Sequence, residues 1–62
     1  MYYQIKFSNS NKMWNFVDEV VKSNYNCNNT TSTVELEDSK HPMRDTYEKS
    51  LKYGALELIQ NT

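Results

Sequence analysis

The apolar residues of this chain change their spacing several times, and the order of these changes restricts its fold more than any single motif does. In residues 2–7, Tyr3, Ile5 and Phe7 alternate with more polar positions. Alternation of this kind is typical of a strand with one buried face. We therefore predict a first strand here, with Tyr3, Ile5 and Phe7 turned toward the core.

Helical spacing follows the first strand. Asn9 and Ser10 are suitable N-cap residues for a helix over residues 12–23. The residues predicted to face the core are Met13, Phe16, Val17 and Val20. Trp14 and Val21 are seven residues apart, so we place both at the margin of this apolar stripe. Trp14 is interpreted as the rim of the core or, alternatively, as a contact for a partner.

A hairpin is predicted in the middle of the chain. Tyr25 and Cys27 alternate with Asn26, residues 28–32 are rich in Asn, Thr and Ser, and residues 33–37 alternate again. Two alternating runs on either side of a polar turn indicate a β-hairpin. Cys27 is expected to be a small buried residue of the core, because nothing near it in sequence would activate its thiol.

A second helix and a last strand complete the pattern. The start of the second helix is marked by Asp38, Ser39 and Pro42, and its end by Gly54, the only glycine. The apolar row of this helix is Met43, Tyr47 and Leu51. Residues 55–60 read as a strand with Leu56 and Leu58 turned inward and Glu57 and Ile59 outward.

The order β-α-β-β-α-β predicts a single α+β domain over residues 1–62. Two right-handed crossovers in this order give a ferredoxin-like fold, with a four-stranded antiparallel sheet and both helices on one face. The other face of the sheet is then open to water or to a partner. Its residues are predicted to be Tyr2, Gln4, Lys6, Asn26, Thr33, Glu35, Glu37, Glu57 and Ile59.

Composition argues against several functions. The formal net charge is −1, so we expect no general binding to nucleic acid. A single cysteine allows no internal disulfide, which favours a cytoplasmic location for so small a domain. No apolar run approaches the roughly 18 residues that span a bilayer, and no targeting segment is recognisable, so we expect no membrane association.

The residues needed for catalysis are also scarce. One cysteine, one histidine and one glycine supply neither a zinc ligand set nor a phosphate-binding loop. We expect no metal, no cofactor and no enzymatic activity. The one local cluster with some chemical character is His41 and Arg44 at the start of the second helix, which could contact an anion.

Two families with similar element orders suggest alternatives. Phe16, Val17, Lys22, Tyr25, residues 34–36 and Ser39 give the chain a loose resemblance to the histidine phosphocarrier proteins of the bacterial sugar phosphotransferase system. That family carries its phosphorylated histidine at the start of the first helix, where this chain has residues 8–11, Ser-Asn-Ser-Asn. RNA recognition motifs stack bases on aromatic residues of their central strands. Tyr2 could stack on a base in this way, but the carboxylates of Glu35 and Glu37 would repel the RNA backbone.

By elimination, we expect a protein that acts by stoichiometric contact with a host or cognate protein. Eight asparagines, six lysines and five tyrosines are typical of AT-rich coding sequence, which suggests a phage accessory protein that inhibits a host defence nuclease or toxin in the host cytoplasm. A homodimer is a further expectation, because a domain this small has little core. The predicted contact residues are Tyr2, Gln4, Lys6, Trp14, Glu35, Glu37, Glu57 and Ile59.

Overall fold

The computed structural model describes residues 1–60 of the chain and has the predicted order of elements. The helices and strands are β1 (Tyr2–Phe7), α1 (Ser10–Phe16), a π-helical turn (Val17–Val21), β2 (Tyr25–Asn28), β3 (Thr33–Glu37), α2 (Met43–Leu51) and β4 (Ala55–Gln60). Over these residues the four strands form one antiparallel sheet in the order β2-β3-β1-β4. The fold is a small α+β domain consistent with the ferredoxin-like arrangement.

The core lies between the sheet and the helices. Tyr3, Ile5 and Phe7 of β1 are buried, as their alternation predicts. Val34 and Leu36 stand beside them on β3, because the register pairs Ile5 with Val34 and Tyr3 with Leu36. Directly paired residues of antiparallel strands share a face of the sheet, so these five residues form one continuous apolar surface under the helices.

The first helix begins with the predicted cap but ends differently. The Asn9 Oδ1 atom accepts the Lys12 N–H at 2.9 Å. The helix then widens, and the Lys22 N–H donates to the Val17 carbonyl at 2.7 Å, a bond across five residues. This wider turn rotates Val21 into the core, where it is only 4% exposed, and leaves Val20 partly exposed. The prediction that Val20 is the core residue and Val21 the marginal one was therefore wrong.

The second helix faces the sheet through small polar residues. Thr46 and Ser50 are buried, Met43 and Tyr47 pack partly against the core, and Leu51 is 51% exposed. Leu51, the last residue of the predicted apolar row, therefore lies outside the core. The Ser50 hydroxyl donates to the Tyr47 carbonyl at 2.6 Å, so this buried polar group is satisfied within the helix itself.

The start of α2 agrees in part with the residues predicted for it. Pro42 is the N-cap residue and does not lie within the first turn, and the Asp38 Oδ1 atom accepts the Met43 N–H at 2.9 Å from outside the helix, which satisfies the first backbone N–H of α2. At the other end the helix finishes at Leu51, three residues before the glycine. Gly54 has φ +94, the left-handed conformation predicted for it, and it begins the reversal into β4.

The last strand is irregular at its start. The pairing of β1 with β4 shifts between Lys6 and Phe7, so that Leu56 is an extra residue on β4. Leu56 is consequently 61% exposed, whereas Leu58 packs against the core. The prediction that Leu58 faces inward was correct. The same prediction for Leu56 was wrong, because a strict two-residue alternation does not include a bulge.

Within residues 1–60, no helix is long and apolar enough to cross a membrane. The same residues contain no buried side-chain nitrogen or oxygen that lacks a hydrogen-bond partner.

Candidate functional site

The face of the sheet opposite the helices is open. The register places Gln4 at its centre, paired with Glu35 on β3 and with Ile59 on β4. Tyr2 pairs with Glu37 at one end of the face. The other residues that the register places on this open face are Lys6, Asn26, Asn28, Thr33 and Glu57.

All the predicted sheet-face contact residues thus lie on one surface. Tyr2 is 51% exposed and is its most prominent aromatic group. Ile59 is half-buried and adds an apolar surface on β4. The open face therefore combines an exposed aromatic ring and an aliphatic side chain with charges of both signs.

The charged groups of the open face have few internal partners. The Gln4 Nε2 atom donates to Glu35 Oε2 over a long 3.5 Å. Lys6 is directly opposite Glu57 in the sheet. Among residues 1–60, the one ion pair within 4.0 Å is between Lys49 and Asp45 on α2, so neither Lys6 nor Glu57 belongs to a close ion pair. These charges remain hydrated in the free protein and available to a complementary surface.

Two shallow depressions lie along the open face. The larger, of about 730 Å³, is bounded by Gln4, Lys6 and Ile59 and extends toward the hairpin turn. The smaller, of about 420 Å³, lies near Tyr2 at the opposite end. Both are wide open to solvent, and both include Asn26 and Glu35 in their walls. The paired Asn26 and Glu35 therefore lie between the two depressions, on the side of the open face formed by β2 and β3.

Sequence reasoning missed several residues beside this surface. Asn24, Tyr25 and Lys40 line the smaller depression, and Asn29 and Thr31 line the larger one. Asn29 and Thr31 were interpreted only as turn residues. Tyr25 was placed in the alternation of β2, but β2 is an edge strand, and the ring is 39% exposed. Its position at the sheet margin could not be read from spacing alone.

Trp14 does not belong to the open face. Its indole Nε1–H donates to Asn29 Oδ1 at 2.8 Å, and its ring meets Tyr25 edge-on at 6.3 Å between centroids. The Ser10 hydroxyl also donates to the Asn29 carbonyl at 3.0 Å. These contacts join α1 to the hairpin turn, so the structure supports the interpretation of Trp14 as the rim of the core.

His41 and Arg44 form no shared site with the open face. The His41 Nε2 atom lies 2.8 Å from the Ser23 carbonyl and must donate its proton to it. The imidazole therefore links the end of the first helical region to the start of α2. Arg44 is exposed on the first turn of α2. One of the two ring nitrogens of His41 is thus already engaged in a structural hydrogen bond.

Cys27 is half-buried on β2, where it pairs with Val34 and packs against the core. Burial raises the pKa of its thiol, which disfavours the reactive thiolate. Over residues 1–60, no three His, Cys, Asp or Glu side chains come close enough together to hold a metal ion.

In comparisons with protein families, with curated proteins and with solved structures, nothing matched this chain.

Proposed function

We propose that this chain is a non-enzymatic protein-binding domain that acts by stoichiometric contact through the open face of its sheet. The observation that carries the proposal is the composition of that face. Tyr2 and Ile59 provide apolar contact, and the charged residues Lys6, Glu35 and Glu57 lie beside them and form no close ion pair within residues 1–60. An aromatic anchor beside a charged rim is typical of protein interfaces.

The shape of the surface favours a protein over a small ligand. Binding pockets for small molecules enclose most of the ligand surface, whereas both depressions here are shallow and open to solvent. The charge distribution disfavours nucleic acid, because Glu35 and Glu37 lie on the central strand β3 and would repel phosphates. A partner with basic groups opposite these carboxylates would fit the surface best.

The narrower form of the proposal is a phage-type inhibitor that occupies a surface of a host defence nuclease or toxin in the host cytoplasm. Its support is the small size of the domain and its AT-rich residue usage, with eight asparagines and six lysines among 62 residues. Such an inhibitor needs no cofactor, since occupying the surface of its target is sufficient for its effect.

The proposal is tested by affinity capture from bacterial lysate with matched variants of the chain. The open-face variants are Tyr2→Ala and Glu35→Lys, and the controls are Arg44→Ala and Lys49→Ala on α2. We expect the parent and both controls to capture the same protein in a 1:1 ratio, while the open-face variants recover much less of it. Circular dichroism verifies that every variant is folded.

Equal capture by all the variants would contradict an interface on the open face. A parallel titration with single-stranded RNA and DNA at several salt concentrations tests the main alternative. Tight, salt-dependent binding that is weakened by Tyr2→Ala would replace the proposal with a nucleic-acid-binding function. A phosphocarrier function would instead require phosphoryl transfer to His41, which His41→Ala would abolish.

A further inference from the structure

The smaller depression, beside Tyr2, differs in charge from the rest of the open face. Its wall includes the carboxylates of Glu35 and Glu37 and one ammonium group, that of Lys40. The wall of the larger depression has one carboxylate and one ammonium group, from Glu35 and Lys6. The excess of negative charge on this face therefore lies at its Tyr2 end.

The strand register sets the Tyr2 ring next to the Glu37 side chain. The Asp38 N–H donates to the Met1 carbonyl at 2.9 Å, so Met1 and Asp38 form a hydrogen-bonded pair. Hydrogen-bonded and non-hydrogen-bonded pairs alternate along an antiparallel ladder. Tyr2 and Glu37, the next pair, are therefore a non-hydrogen-bonded pair. In such pairs the Cα atoms are about 4.5 Å apart and the side chains lie closest to each other.

The two carboxylates of this depression are close to each other and poorly compensated. Glu35 and Glu37 are two residues apart on one face of β3, which separates their Cα atoms by about 7 Å. Like charges at this distance repel each other. Within residues 1–60 neither carboxylate has an ion-pair partner within 4.0 Å, and the long bond from Gln4 reaches only Glu35. A cation bound between the carboxylates would remove their repulsion.

The guanidinium group of arginine fits these neighbours better than other cations do. It is planar, it carries five N–H donors, and it can contact carboxylates while it stacks on an aromatic ring. The ammonium group of lysine is a compact charge with stronger hydration, so it loses more on leaving water. Metal ions require several ligands close together, and no three His, Cys, Asp or Glu side chains of residues 1–60 provide them.

We propose that the smaller depression binds an arginine side chain of the partner protein. Its guanidinium stacks on the Tyr2 ring and donates hydrogen bonds to Glu35 and Glu37. The inference rests on the proposed function, because it names the group of the partner that the open face receives. Since the depression is open to solvent, it suits a side chain that projects from a protein surface. Lys40 lies in the same wall, and its charge opposes the binding of a cation.

NMR titration of the backbone amides tests the site without the partner. The probe is the peptide acetyl-Gly-Arg-Gly-amide at low ionic strength, and its matched control contains citrulline, which replaces the guanidinium by a neutral urea. We expect millimolar affinity for the arginine peptide, shift changes centred on Tyr2, Glu35 and Glu37, and binding of the citrulline peptide at least about tenfold weaker. Equal binding of the two peptides, or shift changes centred elsewhere, would overturn the proposal. Equal binding of the corresponding lysine peptide would overturn the assignment to arginine.

Substitutions of opposite sign should change this affinity in opposite directions. We expect the dissociation constant of the arginine peptide to rise about threefold in Glu37→Gln and to fall about twofold in Lys40→Ala. Lys49→Ala on α2 changes the net charge as Lys40→Ala does, and it should leave the constant unchanged. Tyr2→Leu keeps an apolar side chain but loses the ring, so it should raise the constant about threefold. A shared direction in Glu37→Gln and Lys40→Ala, or an equal effect of the two lysine variants, would contradict the site.

The capture experiment distinguishes this inference from the proposed function. We expect Glu37→Gln to recover less of the captured protein than Lys49→Ala does. A protein that is lost with Tyr2→Ala but fully retained with Glu37→Gln would overturn the arginine site and leave the proposed function standing. Conversely, if the arginine peptide binds as expected while no protein is captured through the open face, the proposed function fails and the depression remains an arginine-binding site.

Discussion

Tyr3 connects the centre of the sheet to the start of α2. Its side chain is buried in the core, yet its hydroxyl donates to the His41 carbonyl. Burial raises the pKa of this phenol, the nearby Asp38 carboxylate raises it further, and a hydrogen bond from Thr46 opposes the rise. The folded state therefore favours the neutral phenol more strongly than the unfolded chain does.

This shift predicts a loss of stability at alkaline pH. The pKa of tyrosine in an unfolded chain is about 10, and in the folded state that of Tyr3 lies higher. Its contribution is fully present below pH ~10 and is lost as pH rises through the folded-state pKa. In urea unfolding at several pH values between about 8 and 11, we expect Tyr3→Phe to lose less stability than the parent.

Tyr2→Phe is the matched control for this experiment, since it removes a hydroxyl from an exposed neighbour. The Tyr3→Phe variant also distinguishes Tyr3 from two other groups whose pKa is raised in the folded protein. The pKa of Tyr53 is raised by its hydrogen bond to Glu19, and that of Cys27 by burial. If Tyr3→Phe and Tyr2→Phe have the same pH dependence as the parent, Tyr3 is not the group responsible.

Among the elements, the junction of α2 with β4 depends on one residue that no other type replaces easily. Gly54 has φ +94, a conformation that side chains disfavour. A Cβ atom added there would lie 2.7 Å from the Cδ atom of Lys12 on α1. The left-handed backbone is thus the firm requirement of the junction, whereas the atoms that an added Cβ would meet belong to the flexible end of the exposed Lys12 side chain.

Gly54→Ala is predicted to lower the free energy of unfolding by about 1 kcal/mol or more, because alanine at positive φ is strained. In a Lys12→Ala background the steric part of this cost should disappear and the backbone part should remain. Thermal and urea unfolding of the two single variants and the double variant measure the difference. An equal cost of Gly54→Ala in both backgrounds would show that Lys12 moves aside freely.

In the molecule as a whole, one face of the sheet packs in the core and the other is open to solvent. The helix side holds the core, with Tyr3, Ile5 and Phe7 at its centre. The open side carries Glu35 between two depressions and contributes little to that core. Substitutions on the open side should therefore change binding without unfolding the domain.

Binding to the captured partner is predicted to weaken by about 1–2 kcal/mol in Tyr2→Ala, because aromatic residues carry much of the energy of such interfaces. Charge reversal in Glu35→Lys should lower the association rate and its dependence on salt. Trp14→Phe, which keeps the ring beside Tyr25 but loses the bond to Asn29, should bind at full strength. Calorimetry and stopped-flow kinetics at two salt concentrations measure these effects.

A different pattern of binding among these variants would place the interface elsewhere. Full-strength binding by Tyr2→Ala and Glu35→Lys together with a loss in Trp14→Phe would move the interface to the rim of α1. Trp14 is only half-buried there, so its remaining surface is accessible to a partner.

Much of the fold could be predicted from local pattern. The spacing of the apolar residues correctly predicted the positions of β1, the two hairpin strands and the two helical regions. Capping chemistry located the start of the first helix through Asn9, Asp38 hydrogen-bonds the first N–H of α2, and the lone glycine marked the reversal before β4. These features depend on interactions within a few residues along the chain, which is why spacing and residue type were sufficient to predict them.

The sequence by itself also determined which residues share the open face, because strand alternation assigns each side chain to one side of a sheet. Only the tertiary structure decided the departures from regular periodicity. The π-helical turn brought Val21 inward in place of Val20, and the bulge turned Leu56 outward. Both departures depend on how the helices and strands pack over the core. Where local preferences do not decide which side chains of a helix or strand face inward, packing across the whole domain does.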